Sequence, residues 1–106
     1  MSDKLLISNA FQTFLTEAPE YHKVWMETVQ KWGAASQLDR KTETLSYLSV
    51  LAVLRLEGGL PFHVKQAKAA GATREEVISA ILVGLPAAGN VVIQSLPIAL
   101  NAYDQD

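Results

Sequence analysis

Gly71-Ala72-Thr73-Arg74-Glu75-Glu76-Val77 carries the sharpest structural instruction in the sequence. Gly71 suits the left-handed residue that closes a helix. Thr73 and Glu76 stand three apart, the spacing of a capping box. In that arrangement the threonine hydroxyl accepts from the Glu76 N–H, and the glutamate reaches back to the Thr73 N–H. One helix therefore ends and another begins within this stretch.

Upstream of this joint, a fourth helix is predicted to open near Leu60-Pro61. A third runs from Arg40 to about Glu57, with Asp39 as its N-cap and Gly58-Gly59 ending it. Its middle, Leu45 to Leu54, is apolar on nearly all sides, as in a helix buried on several faces. A second helix runs from Pro19, which needs no N–H partner at a helix start, to about Ala35. Tyr21, Trp25, Val29 and Trp32 form its apolar stripe. The first runs from about Asp3 to Glu17, with Ile7, Phe11 and Phe14 on one face together with Ala18. Downstream, a fifth helix starts at Thr73, and a last one follows Gly89-Asn90 and ends near Tyr103, with Pro97 kinking or shortening it. Strand signals and hairpin turns are missing. The prediction is an all-α bundle of about six helices.

A length of 106 residues bounds this to a single domain, 1–106. Hydrophobic residues make up 49% and charged residues 19%, more apolar than a lone small domain needs. The excess points to a subunit contact or a ligand pocket, and so to a homo-oligomer. Net charge is −2, with scattered lysines and arginines, so no nucleic-acid footprint and no polybasic membrane run is present. The absence of cysteine excludes disulfides, thiolate metal sites and cysteine nucleophiles. His22 and His63 alone are too few for a metal site. The Met1-Ser2-Asp3-Lys4 start lacks secretory-signal character, so a cytoplasmic location is expected. The uncharged run between Glu76 and Asp104 is long enough to cross a bilayer. Pro86, Gly89, Asn90, Gln94 and Pro97 argue instead for two short buried helices with a break near Gly89-Asn90, and no membrane partner is expected.

Leu38-Asp39-Arg40-Lys41-Thr42, then His63, then Gly71 to Val77, resembles the carboxymuconolactone decarboxylase family, which includes decarboxylases and the alkylhydroperoxidase D proteins. The resemblance covers about Leu38 to Tyr103, and the Ala18-Pro19-Glu20 helix start extends it. It implies an alkylhydroperoxidase D-like helical fold assembled as a trimer or hexamer. The peroxidase branch carries Cys-x-x-Cys-x-x-x-His with an upstream glutamate. Here those positions hold Leu56, Gly59 and Thr44, and only His63 remains, so thiol peroxidase chemistry is excluded. The decarboxylase branch carries Glu-Gly-Glu-Leu-x-x-His. This chain reads Glu57-Gly58-Gly59-Leu60-Pro61-Phe62-His63, and Arg40 fits the same branch.

The resemblance implies a cofactor-free lyase or isomerase acting on a small unsaturated organic acid or lactone. The conjugated carbonyl takes the electrons, so pyridoxal, thiamine and metal are all dispensable. The protein must hold a carboxylate, keep water out and move one proton. His63 would lie in the first turn of the fourth helix, where the dipole disfavours an imidazolium. Glu57 would lie at the last turn of the third, where carbonyl ends oppose a negative charge. His63 and Glu57 are thus the candidate catalytic pair, and Arg40 the candidate clamp for a substrate carboxylate.

Each residue also has a plainer reading. His63 could hydrogen-bond neighbouring backbone, Glu57 could be a solvated helix end, and Arg40 could pair with Asp39 or Glu43. His22 is expected to be exposed. Trp25, Trp32, Tyr47 and Phe62 are expected in the core or at subunit contacts. A non-catalytic oligomer that binds a small ligand through the same pocket is the second functional expectation.

Overall fold

The computed structural model describes residues 7–105, and every described element is helical. The expected helix start at Asp3 lies outside that range. Helix α1 (Asn9–Glu17) is capped by Ser8, whose hydroxyl accepts from the Phe11 N–H at 3.2 Å. Helix α2 (Pro19–Ala35) begins on its proline as predicted. The two form a hairpin whose inner face holds Phe11, Phe14 and His22. The His22 ring stands edge-on to both phenylalanines, with centroids 5.5 and 5.8 Å away. The expectation that His22 is exposed is therefore corrected: the hairpin turn at Ala18 brings it against α1, and it is half-buried.

Helix α3 (Arg40–Val53) is the central rod. Asp39 caps it, accepting from the Thr42 N–H and from the Thr42 hydroxyl, both at 2.9 Å. Leu48, Leu51 and Ala52 face the core. Ser49 donates to the Ala80 carbonyl at 2.7 Å, so its small polar side chain ties α3 to α5 (Arg74–Leu82). The helix stops sooner than the sequence suggests. The Leu56 N–H bonds the Leu51 carbonyl and the Arg55 N–H bonds the Ala52 carbonyl, a Schellman closure with Arg55 in the left-handed region at φ 59°. A short 3₁₀ turn, Glu57–Gly59, follows. Glu57 therefore sits beyond the helix, not in its last turn.

Helix α4 (Leu60–Ala69) buries Leu60, Val64 and Ala67, and closes on Gly71 at φ +98°. There the Gly71 N–H bonds Lys68 and the Ala72 N–H bonds Ala67. The Thr73–Glu76 capping box forms as read, with bonds of 3.1 and 2.8 Å. Glu76 also meets Lys41 at 2.8 Å, joining the starts of α5 and α3. Thr73→Ala should therefore cost about 1 kcal/mol in urea unfolding; an unchanged midpoint would show that the cap contributes nothing.

Beyond α5 the chain breaks more often than expected. A four-residue helix α6 (Leu85–Ala88) leads into a 3₁₀ segment, Gly89–Ser95, and only then into α7 (Leu96–Asp104). Gly89 at φ +78° makes the bend. Pro97 shortens the last helix rather than kinking it: it occupies the first turn of α7, where no N–H is required. The Arg74–Asp104 stretch is long and apolar enough to cross a membrane by length and composition, yet it folds into these separate pieces. Helix α7 packs on α4 and α5. Tyr103 holds it there, donating to the Ala72 carbonyl at 2.9 Å, while Arg74 grips Asp104 at 2.9 and 3.1 Å.

The core lies between α3, α4, α5, the second 3₁₀ segment and α7, with Leu48, Leu60, Val64, Val77, Ile81 and Val92 fully enclosed. Helix α2 packs chiefly on α1 and contributes nothing to that core. Its predicted stripe is exposed: Tyr21 is 75% accessible and Trp32 77%.

Candidate functional site

Trp25, Val29 and Trp32 of the exposed α2 stripe face the body of the protein across a half-open cavity of about 1320 Å³. Such a volume exceeds the roughly 300–1,000 Å³ of ordinary small-molecule sites. Trp25, Met26, Val29 and Trp32 form the wall on α2. Tyr47 and Val50 of α3 and Phe62 of α4 form the opposite wall. Of the aromatic residues expected in the core or at subunit contacts, Trp25, Trp32, Tyr47 and Phe62 line a cleft: the core is already filled by smaller aliphatic side chains, leaving the large rings for the surface between hairpin and body.

His63 lies in this wall. The Pro61 helix start places it in the first turn of α4, beside Phe62 and against Tyr47. Its ring centroid is 4.7 Å from Tyr47 and 5.2 Å from Phe62. Gly59 packs near it: a Cβ there would stand 3.8 Å from the imidazole Cδ2, an ordinary contact. Burial among these rings pushes the His63 imidazole below its ordinary 6.5, while a hydrogen bond with Gln66 works in the opposite direction. The neutral form expected from the helix dipole is thus favoured, and desolvation is the main cause.

The other two candidates lie elsewhere. Glu57 is gripped by Arg55, with Nε to Oε2 at 3.2 Å and Nη2 to Oε1 at 3.1 Å, and is not among the residues that line the cavity. The early end of α3 explains this. The left-handed turn at Arg55 swings the chain round and supplies Glu57 with a cation from the same loop. Arg40 is exposed in the first turn of α3, also outside the cavity lining, and makes no ion pair among the described residues.

The cavity instead takes a carboxylate that the sequence reading passed over. Glu43 lines it, together with Thr44 and Ser46. Glu43 is half-buried and has no ion-pair partner among the described residues. Its spacing held the signal: Glu43, Tyr47 and Val50 recur at four and three residues, so a charged group opens an otherwise apolar stripe. Lys31 is the one cation among the described lining residues, and it is exposed on α2. A shallower hollow of about 460 Å³ between α3 and α5 offers less, since its Glu76 is already committed to Lys41 and Thr73. Among the described residues no group of three or more histidine, aspartate and glutamate side chains is arranged to hold a metal ion.

No curated protein and no solved structure matches the chain. The sequence model of the carboxymuconolactone decarboxylase family matches residues 19–100, from the start of α2 into α7. That span takes in the cavity wall on α2, the His63 turn and the capped joint at Thr73, all within one strand-free helical arrangement. With so much of the sequence and its helical order accounted for, the chain belongs to the carboxymuconolactone decarboxylase family.

Proposed function

We propose that this protein is a cofactor-free lyase or isomerase for a small unsaturated organic acid or lactone, with His63 as its proton-handling group. The observation that carries this reading is a half-buried imidazole at the wall of an apolar cavity, its pKa pushed down by that burial. Loss of carbon dioxide or of a proton from a conjugated lactone leaves charge on the carbonyl oxygen. A neutral imidazole N–H can donate to that oxygen, and Tyr47 and Phe62 pack against its ring. The cavity asks for no cofactor in this chemistry. The breaks along the Arg74–Asp104 stretch weigh against a single membrane-spanning helix there, in keeping with a soluble protein.

Neither Glu57 nor Arg40 lines the cavity, and Gly59 replaces the second glutamate of the decarboxylase pattern. These facts favour the second reading, a ligand-binding member without catalysis. One experiment separates the two. Unsaturated lactones and lactone acids are titrated against the emission of Trp25 and Trp32, and turnover is followed in parallel. Quenching with turnover supports the enzyme, quenching alone supports the binding protein, and neither response from any compound would sink both.

The open side of the cavity and the bare α2 face also support assembly with further copies of the chain, as a trimer or hexamer. Trp32, Tyr21 and Val24 are more exposed than a free monomer tolerates comfortably. Sedimentation at micromolar concentration should give a multiple of the 11.6 kDa chain mass, and a clean monomer would contradict this.

A further inference from the structure

The geometry points to Glu43 as the second acid–base residue of the cavity, acting with His63 on an uncharged β,γ-unsaturated lactone or ketone. This rests on the catalytic reading above and narrows it from lyase or isomerase to isomerase. Two observations carry it. Glu43 lines the same cavity as His63 and has no cation to neutralise it among the described residues, whereas Glu57 is held by Arg55 and Glu76 by Lys41. Glu43 lies one helical turn before Tyr47, and the Tyr47 ring touches His63, so the carboxylate and the imidazole flank one aromatic surface.

The charges argue against a carboxylate substrate. Arg40 does not line the cavity, Lys31 is solvated on α2, and a substrate carboxylate near His63 would also face Glu43. An uncharged, planar, β,γ-unsaturated carbonyl compound meets no such repulsion and can lie against Tyr47 and Phe62.

The reaction balances without a co-reactant. The Glu43 carboxylate removes a proton from the carbon beside the carbonyl: that C–H bond breaks and an O–H bond forms on Glu43. The electron pair moves onto the carbonyl oxygen as a dienolate, which accepts a hydrogen bond from the His63 N–H. Glu43 then returns a proton to the γ-carbon, the oxygen's pair reforms the carbonyl, and the double bond ends in conjugation. Glu43 is a carboxylate again.

The test uses α-angelica lactone, a small uncharged β,γ-unsaturated lactone, with the full chain and its Glu43→Gln, Glu57→Gln and His63→Ala variants. Isomer formation above buffer is followed by proton NMR, binding by Trp25 and Trp32 quenching, and folding by circular dichroism. Glu43→Gln should lose about 100-fold or more in rate while still quenching. Glu43→Gln at the full rate, with His63→Ala impaired, would overturn the Glu43 assignment alone. So would a loss in Glu57→Gln that Glu43→Gln does not share. Full rate in His63→Ala, or quenching by the wild type without isomerisation, would overturn the catalytic reading beneath it as well.

Discussion

Leu48→Ala is expected to remove about 2–5 kcal/mol of stability, the range for truncating an enclosed leucine. Leu48 has no accessible surface and sits on the central helix α3, where it meets the same cluster as Leu60, Val64 and Ile81. The cost has two parts. The lost methyl and methylene groups give up their burial, and a cavity is left that rigid neighbours cannot close. Small domains have total stabilities of about 5–15 kcal/mol, so a loss of this size consumes a large share. Urea unfolding at fixed slope measures it. A loss under about 1 kcal/mol would mean that the helices collapse onto the gap, or that contacts outside the core carry the stability.

His63→Ala should lower turnover of an unsaturated lactone by about 10²–10⁴-fold, the usual worth of a positioned acid–base group. The fold should survive, because the imidazole lies in a cavity wall and contributes nothing to the enclosed cluster. Ligand quenching should persist, since Trp25 and Trp32 remain in place. A rate within a few-fold of wild type would remove His63 from the chemistry.

The joints of this fold were legible because single residues dictate them. Asp39, Gly71 and the Thr73–Glu76 pair each satisfy specific backbone groups, and each performs the role its type implies. Arg55 was not legible. A left-handed arginine gives no composition signal, and the neighbouring Gly58-Gly59 offered a more persuasive stop. That one turn moved Glu57 out of the expected helix and gave it a partner. Periodicity found the α2 stripe but could not say what it faces. An amphipathic pattern reports that a face is apolar, and here that face looks onto a cleft and solvent. His63 was found through the family pattern, whereas Glu43 was passed over because attention followed that pattern's glutamate positions.

The pH dependence of stability follows from His63. Its folded-state pKa is depressed by burial, so the unfolded chain binds a proton at a pH where the fold does not. Stability from this residue is fully present above the unfolded value of about 6.5 and is lost as the pH falls through the lower folded value. Asp39, Glu76 and Asp104 act the same way at more acid pH. Their carboxyls are held below the usual range by Thr42, Lys41 and Arg74 respectively.

A histidine NMR titration of the wild-type chain, with His22→Gln used to assign the two imidazoles, reports directly on the sheltered wall. The His63 midpoint should fall below 6.5, and adding a lactone that quenches the tryptophans should perturb its resonances. A midpoint at or above 6.5, unmoved by any such ligand, would mean that His63 is solvated and that the cleft beside it is not a reaction site.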